Sequence, residues 1–289
     1  MPSNQIQWFP GHMAKTRRLI TENLKNVDIV IELLDARIPL SSKNPEIAKL
    51  IAGKPTIILL NKASLADPVA NERWIKYYTN DTTVCILTDC ISGGGINRIA
   101  PTVKSILSEK LERYVQKGMS GRKLRAMVLG IPNVGKSSLI NKIAGNKKAK
   151  VENRPGVTLN KQWVSTSIGL ELMDMPGILW PKFEDRTVGE NLALTGAIKD
   201  SILDTEELAV ILCSRLRTLY PKLLCERYKL GLPEDIATLT DYQLFTLIGR
   251  KRGFLISGGE INTERTAMML LDEFRGVKIG RITLDVIPE

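Results

Sequence analysis

The stretch Gly130-Ile131-Pro132-Asn133-Val134-Gly135-Lys136-Ser137 decides how this chain is read. It fits the pattern G-x-x-x-x-G-K-[ST]. An apolar run, 126–129 (AMVL), precedes it, and a helix-like stretch, 136–144, follows it. Strand, glycine-rich turn and helix form the context in which this pattern holds phosphate. The glycines let backbone N–H groups close around an anion, and the helix N-terminus adds the positive end of its dipole. The pattern assigns Gly130, Asn133, Val134, Gly135, Lys136, Ser137 and Ser138 to a phosphate cradle. Lys136 is placed to reach the β- and γ-phosphates of a nucleotide, and Ser137 to ligate Mg²⁺.

Downstream, Asp174-Met175-Pro176-Gly177 closes the apolar run 169–173 (GLELM) and fits D-x-x-G. In that pattern the Asp holds Mg²⁺ through water and the Gly N–H meets the γ-phosphate. Between the two, Arg154-Pro155-Gly156-Val157-Thr158 offers Thr158 as a second hydroxyl ligand for the metal. Upstream, Asn61-Lys62-Ala63-Ser64 ends the run 56–60 (TIILL) and resembles the base-reading N-K-x-D motif of GTPases. Ser64 stands where that motif has its Asp. A carboxylate accepts two charge-assisted hydrogen bonds from guanine, whereas an unassisted serine accepts one. The expected loss is about 1–3 kcal/mol of base binding. Asp89-Cys90, followed by Gly93-Gly94-Gly95, is the expected second base loop. GTPases usually carry a Ser-Ala-like pair there.

The rest of the first 180 residues alternates apolar runs with amphipathic stretches. The runs 28–34 (DIVIELL) and 84–87 (VCIL) read as strands, and 163–168 as a partner for 169–173. Segments 44–52, 68–78 and 96–117 read as helices between them. This alternation predicts α/β architecture with a mostly parallel sheet covered on both faces. After residue 181 the pattern turns helical, over 187–199, 206–219, 241–250 and 263–274, with Asp241 and Asn262 or Thr263 as caps and Gly276 as a stop. A short strand is expected at 282–287. Two domains follow, 1–180 and a small helical bundle at 181–289.

Composition narrows the function classes. No run of about 18 apolar residues exists, so no membrane span is expected. Cys85, Cys90, Cys213 and Cys225 show no C-x-x-C spacing and read as reduced thiols of a cytoplasmic protein. Residues 1–180 carry 26 Lys and Arg against 14 Asp and Glu, while 181–289 carry 15 against 17. A positive field of this kind favours a polyanionic partner such as nucleic acid. Lys147, Lys148, Lys150 and Arg154 crowd the first switch, and Arg250-Lys251-Arg252 end a predicted helix. The last three complement a helix dipole or contact RNA phosphate.

The motifs run in the order Asn61, Asp89, Gly130, Thr158, Asp174. Ordinary GTPases place the phosphate loop first. All five still meet at the carboxyl edge of one parallel sheet, because ligand position follows strand ends and not chain order. This order, with Trp8-Phe9-Pro10-Gly11-His12-Met13-Ala14-Lys15, Asp35-Ala36-Arg37-Ile38-Pro39, Asn44-Pro45 and Gly249-Arg-Lys-Arg-Gly253, resembles the circularly permuted GTPases of the YlqF/RbgA family. The resemblance implies GTP and GDP as ligands and hydrolysis stimulated by the ribosome. It also implies late assembly of the large ribosomal subunit with rRNA as the partner, the helical C-terminal domain binding RNA; a monomer is expected. Position 178, where Ras-type enzymes carry a water-orienting Gln, is Ile178, which cannot hydrogen-bond water. The family resemblance assigns water positioning to His12, the chain's one histidine. Asn133 is similar to the asparagine that coordinates K⁺ in related potassium-dependent GTPases. Two other readings stay open: a P-loop NTPase of relaxed base preference, allowed by Ser64, and an RNA-binding assembly factor with nucleotide as a structural ligand.

Overall fold

β1 (Ile29–Asp35, IVIELLD) is buried along its whole length, because it lies in the middle of a sheet with helices on both faces. The computed structural model describes residues 10–119, 121–144, 162–180, 183, 185–198 and 204–288. Six strands form one sheet in the order β3-β2-β1-β4-β6-β5, with β2 at Thr56–Asn61, β3 at Thr83–Leu87, β4 at Leu124–Gly130, β5 at Gln162–Ser165 and β6 at Leu170–Asp174. β1 pairs in parallel with β2 (Ile31 opposite Ile57) and with β4 (Ile31 opposite Val128). β4 and β6 are also parallel, and β5 is the antiparallel edge. Near-continuous apolar strands are what a doubly covered parallel sheet requires.

On one face, α1 (Pro10–Leu24) and α2 (Pro45–Leu50) supply Ile20 and Ile47 to a cluster with Val30, Met127, Leu129 and Met173. α3 (Pro68–Tyr78) lays Trp74 and Tyr78 against Leu34, Ile58 and Leu60. The predicted single helix 96–117 is two: α4 (Ile99–Ile106) and α5 (Ser108–Gln116). They are separated by Leu107, which leaves the helical region at ψ 18°. α6 (Lys136–Ala144) follows the phosphate loop.

The chain divides into two compact units, 1–184 with 287–289, and 185–286. The second unit opens with Asp185, which caps α7 (Arg186–Leu194) by accepting from Thr187 N–H. Residues 287–289 group with the first unit, where Ile287 packs into the Trp74 cluster. The second unit is helical: α8 (Thr205–Leu219), α9 (Pro221–Tyr228), α10 (Pro233–Ala237), α11 (Asp241–Lys251) and α12 (Thr263–Arg275). α11 is capped by Thr240 and not by Asp241. Thr240 and Gln243 bond reciprocally, while Asp241 takes an ion pair from Arg217 at 2.5 Å. Asn262 caps α12 as expected.

The expected strand at 282–287 does not form. Ile282 and Leu284 are buried, but the Tyr220 hydroxyl accepts from Thr283 N–H and donates to Thr283 C=O, both at 3.1 Å. A phenol therefore satisfies the backbone groups that a neighbouring strand would otherwise pair. Among the described residues, no helix is long and apolar enough to cross a membrane.

Candidate functional site

Every parallel strand ends at the same edge of the sheet, and the polar residues selected by sequence cluster there. Asn61, the last residue of β2, joins the loops. Its Nδ2 donates to Val134 C=O in the phosphate loop at 2.8 Å. Its Oδ1 accepts from Cys90 N–H at 3.1 Å in the loop after β3. Gly135 has φ 107°, and a Cβ there would lie 2.3 Å from Asn61 Nδ2, so this contact requires glycine. Gly130 at φ 149° likewise leaves no room between its α-carbon and Leu33 C=O, which a Cβ would meet at 2.6 Å.

The phosphate loop turns through Asn133, in the left-handed region at φ 58°. Ser137 and Ser138 are the second and third residues of α6. The Lys136 ammonium is buried and donates to Gly130 C=O at 3.1 Å and Ile131 C=O at 2.7 Å. Burial lowers its pKa to about 8, against the pull of Asp174. Asp174 ends β6, and burial raises its carboxyl above the ordinary range although Lys136 and Met175 N–H oppose the rise. Its Oδ1 is buried without a hydrogen-bond partner among the described residues. A Cβ on Gly177 would lie 2.8 Å from Pro132 N and 3.0 Å from Lys136 Nζ, so the D-x-x-G glycine sits directly on the phosphate loop.

On the base side, Lys62 stands at φ 61° and its ammonium bonds Asp35 Oδ2 at 2.8 Å. Arg37 clasps the same carboxylate through two bonds, Nε to Oδ1 at 3.0 Å and Nη2 to Oδ2 at 2.7 Å. Burial pushes the Asp35 carboxyl up, but the two cations outweigh it and hold the group far below the usual range. Ser64 donates its hydroxyl hydrogen bond to Asp89 Oδ2. The Cys90 thiol is buried, which raises it to about 12. Lys142 on α6 reaches Ile91 C=O at 3.4 Å, a second link between the base-side loop and the phosphate side.

Three site residues carried by the quoted signatures had no role assigned from sequence. Asp35 and Arg37 anchor Lys62. Asn44 is fully buried; it caps α2 by accepting from Glu46 N–H and donates to Ile178 C=O at 3.1 Å. Ile178 N–H in turn meets Gly130 C=O at 3.3 Å, and its side chain lies in the core cluster with Val30 and Met127. Position 178 is thus an apolar anchor for the D-x-x-G loop. Charged residues at the end of a mostly apolar strand were the available signal. His12 is the third residue of α1, but its side chain lies outside the described residues, as do Thr158, Lys147, Lys148, Lys150 and Arg154. In the second unit Arg252 bonds Glu273 at 3.3 Å and covers the Tyr228 ring, whereas Arg250 and Lys251 are exposed. Arg252 is therefore engaged by Glu273 and Tyr228 within its own unit.

Comparison with known proteins agrees with this geometry. A family model described as 50S ribosome-binding GTPase matches residues 125–219. Ribosome biogenesis GTPase A of Bacillus cereus is 48% identical over 98% of this chain and 95% of its own length. The protein of that name from Priestia megaterium is 50% identical over 97% of this chain and 96% of its own. A GDP-bound structure of TM YlqF, 25% identical, superposes with a TM-score of 0.63 over 93% of this chain and 98% of that one. Near-complete coverage at this identity, with the permuted loops converging on one sheet edge, places the chain in the ribosome biogenesis GTPase A family of P-loop GTP hydrolases.

Proposed function

We propose that this chain binds GTP across the carboxyl edge of its sheet, hydrolyses it, and uses the cycle to act in late assembly of the large ribosomal subunit. The observation that carries the reading is the Asn61 bridge. One side chain bonds Val134 C=O of the phosphate loop and Cys90 N–H of the second base-side loop, although the chain visits these loops in permuted order. A nucleotide laid along that edge meets Lys62, Ser64, Asp89 and Cys90 at its base, and Gly130 to Ser138 with Gly177 at its phosphates.

The residues present fit a hard divalent cation. Asp174 Oδ1 is a buried oxygen without a protein partner among the described residues, and Ser137 is the second residue of α6, directly after the phosphate-loop lysine. Ser137, Thr158 and Asp174 would hold Mg²⁺, which would neutralise charge on the β- and γ-phosphates. Lys136 turns its ammonium from loop carbonyls to phosphate oxygens, and Gly177 N–H meets the γ-phosphate. In this reading Asn133 would help to hold K⁺, which would supply positive charge beside the phosphates. His12 orients the attacking water, since Ile178 is committed to the core.

Precursor rRNA is the partner, held by the basic first domain and by exposed Arg250 and Lys251 of the second. The protein works in the cytoplasm as a monomer and leaves the subunit after hydrolysis. The test is GTP turnover measured with and without precursor large subunits. Stimulated turnover that falls at least tenfold in His12→Ala, with GTP binding retained, supports the reading. Turnover indifferent to subunits defeats the assembly role, and GTP binding without any turnover leaves nucleotide as a structural ligand.

A further inference from the structure

The base-side loops carry an exchange that neither loop shows alone. The usual arrangement has a carboxylate at the fourth position of N-K-x-D and a small hydroxyl residue in the following loop. Here the hydroxyl is at Ser64 and the carboxylate at Asp89, and the two are hydrogen-bonded across 25 residues of sequence. Resting on the guanine reading above, we propose that Asp89 supplies the charge Ser64 lacks by holding the Ser64 hydroxyl proton, so that Ser64 faces the purine only as an acceptor.

Asp89 is well placed to hold that proton. Its Oδ1 accepts from Ile91 N–H at 3.0 Å and Ser92 N–H at 2.9 Å, which leaves Oδ2 for Ser64. Its backbone is closed into a turn by Asp89 N–H to Gly94 C=O at 2.9 Å and Gly93 N–H to Asp89 C=O at 2.8 Å. The glycine run serves this turn, because a Cβ on Gly95 would lie 2.0 Å from Leu87 C=O. Asp89 is buried while Ser64 is exposed, so the carboxylate stands behind the hydroxyl and the hydroxyl presents the surface.

A hydroxyl has one proton and two lone pairs. With the proton committed to a carboxylate, both lone pairs point away and the oxygen gains negative character through the chain of bonds. Guanine offers N–H donors at its N1 and N2 edge, which such an oxygen accepts. Adenine offers a lone pair at N1, which the same oxygen repels. A free serine would simply rotate and donate to adenine. A locked one must first break a charge-assisted bond, worth roughly 10- to 100-fold in affinity. Selectivity is then a property of the pair, and the Ser64 departure does not by itself imply relaxed base choice.

Asp89→Asn tests this directly. It keeps Oδ1 to cap Ile91 and Ser92, and it replaces Oδ2 with an amide that donates to Ser64 and turns the hydroxyl proton outward. Affinities for GTP, ATP and xanthosine triphosphate would be measured by competition against a fluorescent GDP, with thermal melts to confirm folding. The expected result is a 10- to 100-fold loss for GTP, unchanged or tighter ATP, and a gain for the xanthine nucleotide. Equal losses for GTP and ATP would mean that Asp89 only shapes the loop, and would overturn the proposal. Should Asp89→Asn fail to fold, Ser64→Asp is compared with the exchange Ser64→Asp/Asp89→Ser. The single change sets two carboxylates together and weakens GTP binding, and the exchange recovers it; a single change that tightens GTP binding overturns the proposal. Wild-type protein that binds neither nucleotide would defeat the functional reading itself, and the pair with it.

Discussion

The two halves of the sheet edge satisfy their polar groups in opposite ways. On the base side, Asp35 is matched by Arg37 and Lys62, Asn61 is bonded at both ends, and Asp89 is matched by Ser64 and two backbone N–H groups. On the phosphate side, Lys136 rests on two carbonyls of its own loop, and Asp174 keeps a buried oxygen without a partner among the described residues. The base side is built in advance from protein contacts. The phosphate side holds groups whose best partners are an anion and a cation. Pre-organised specificity beside ligand-completed affinity lets the site discriminate without first reorganising, since ordering costs are met during folding.

Substitutions can break this contrast. The largest effect is expected from Asp35→Asn, which leaves buried Arg37 and half-buried Lys62 beside a neutral group. Losing one partner of a buried ion cluster costs about 3–5 kcal/mol. Urea unfolding without nucleotide should show that loss, and a loss below about 1 kcal/mol would mean the base side is not self-supporting. Lys136→Met should show the reverse pattern. It keeps the buried stem, so stability without nucleotide stays within about 1 kcal/mol, while GTP affinity falls about 100-fold from lost charged hydrogen bonds. Equal damage to folding and binding would erase the distinction between the halves.

The smallest effect concerns Glu32, in the middle of β1, midway between the two halves. Burial raises its carboxyl to about 7 against the opposing pull of Lys43, and its Oε1 is buried without a partner among the described residues. The folded-state value lies above the unfolded one, so the folded chain binds this proton more tightly. Its contribution is therefore present at low pH and lost as pH rises from about 4.5 to 7. Glu32→Gln removes the titration. It should gain about 2–3 kcal/mol over wild type between pH 5 and pH 8. Parallel pH–stability curves for the two proteins would show that Glu32 keeps its ordinary value.

Much of this architecture was legible because apolar strands bounded by motif loops leave few alternatives. The core strands could be placed to within about two residues at each end, and the phosphate loop and the two base-side loops at their strand ends. α1 was not legible as a helix because PGHMAKTRRLITENL is largely polar. α9 and α10, of eight and five residues, were also missed. The site contacts were hidden for a different reason. Asn44 meets Ile178 across 134 positions, and Ser64 meets Asp89 across 25. No local pattern announces a partner at such separations. Ser64 taken alone argued for weakened guanine choice; beside Asp89 it argues for an exchanged pair.

The order of the strands also fixes a timetable. During synthesis, β1, β2 and β3 leave the ribosome as consecutive segments, and β2 is the partner of both others. The Asp35 cluster and the Ser64–Asp89 contact can therefore assemble before β4 and the phosphate loop exist. At about 5–20 residues per second the lead is several seconds. Ile287, which joins the Trp74 cluster, is made only after the whole of 185–286. The Asp35 cluster and the Ser64–Asp89 contact can thus precede the Asn61–Val134 bond, which waits for the phosphate loop, and the first unit gains its Ile287 core contact only after the second has been translated.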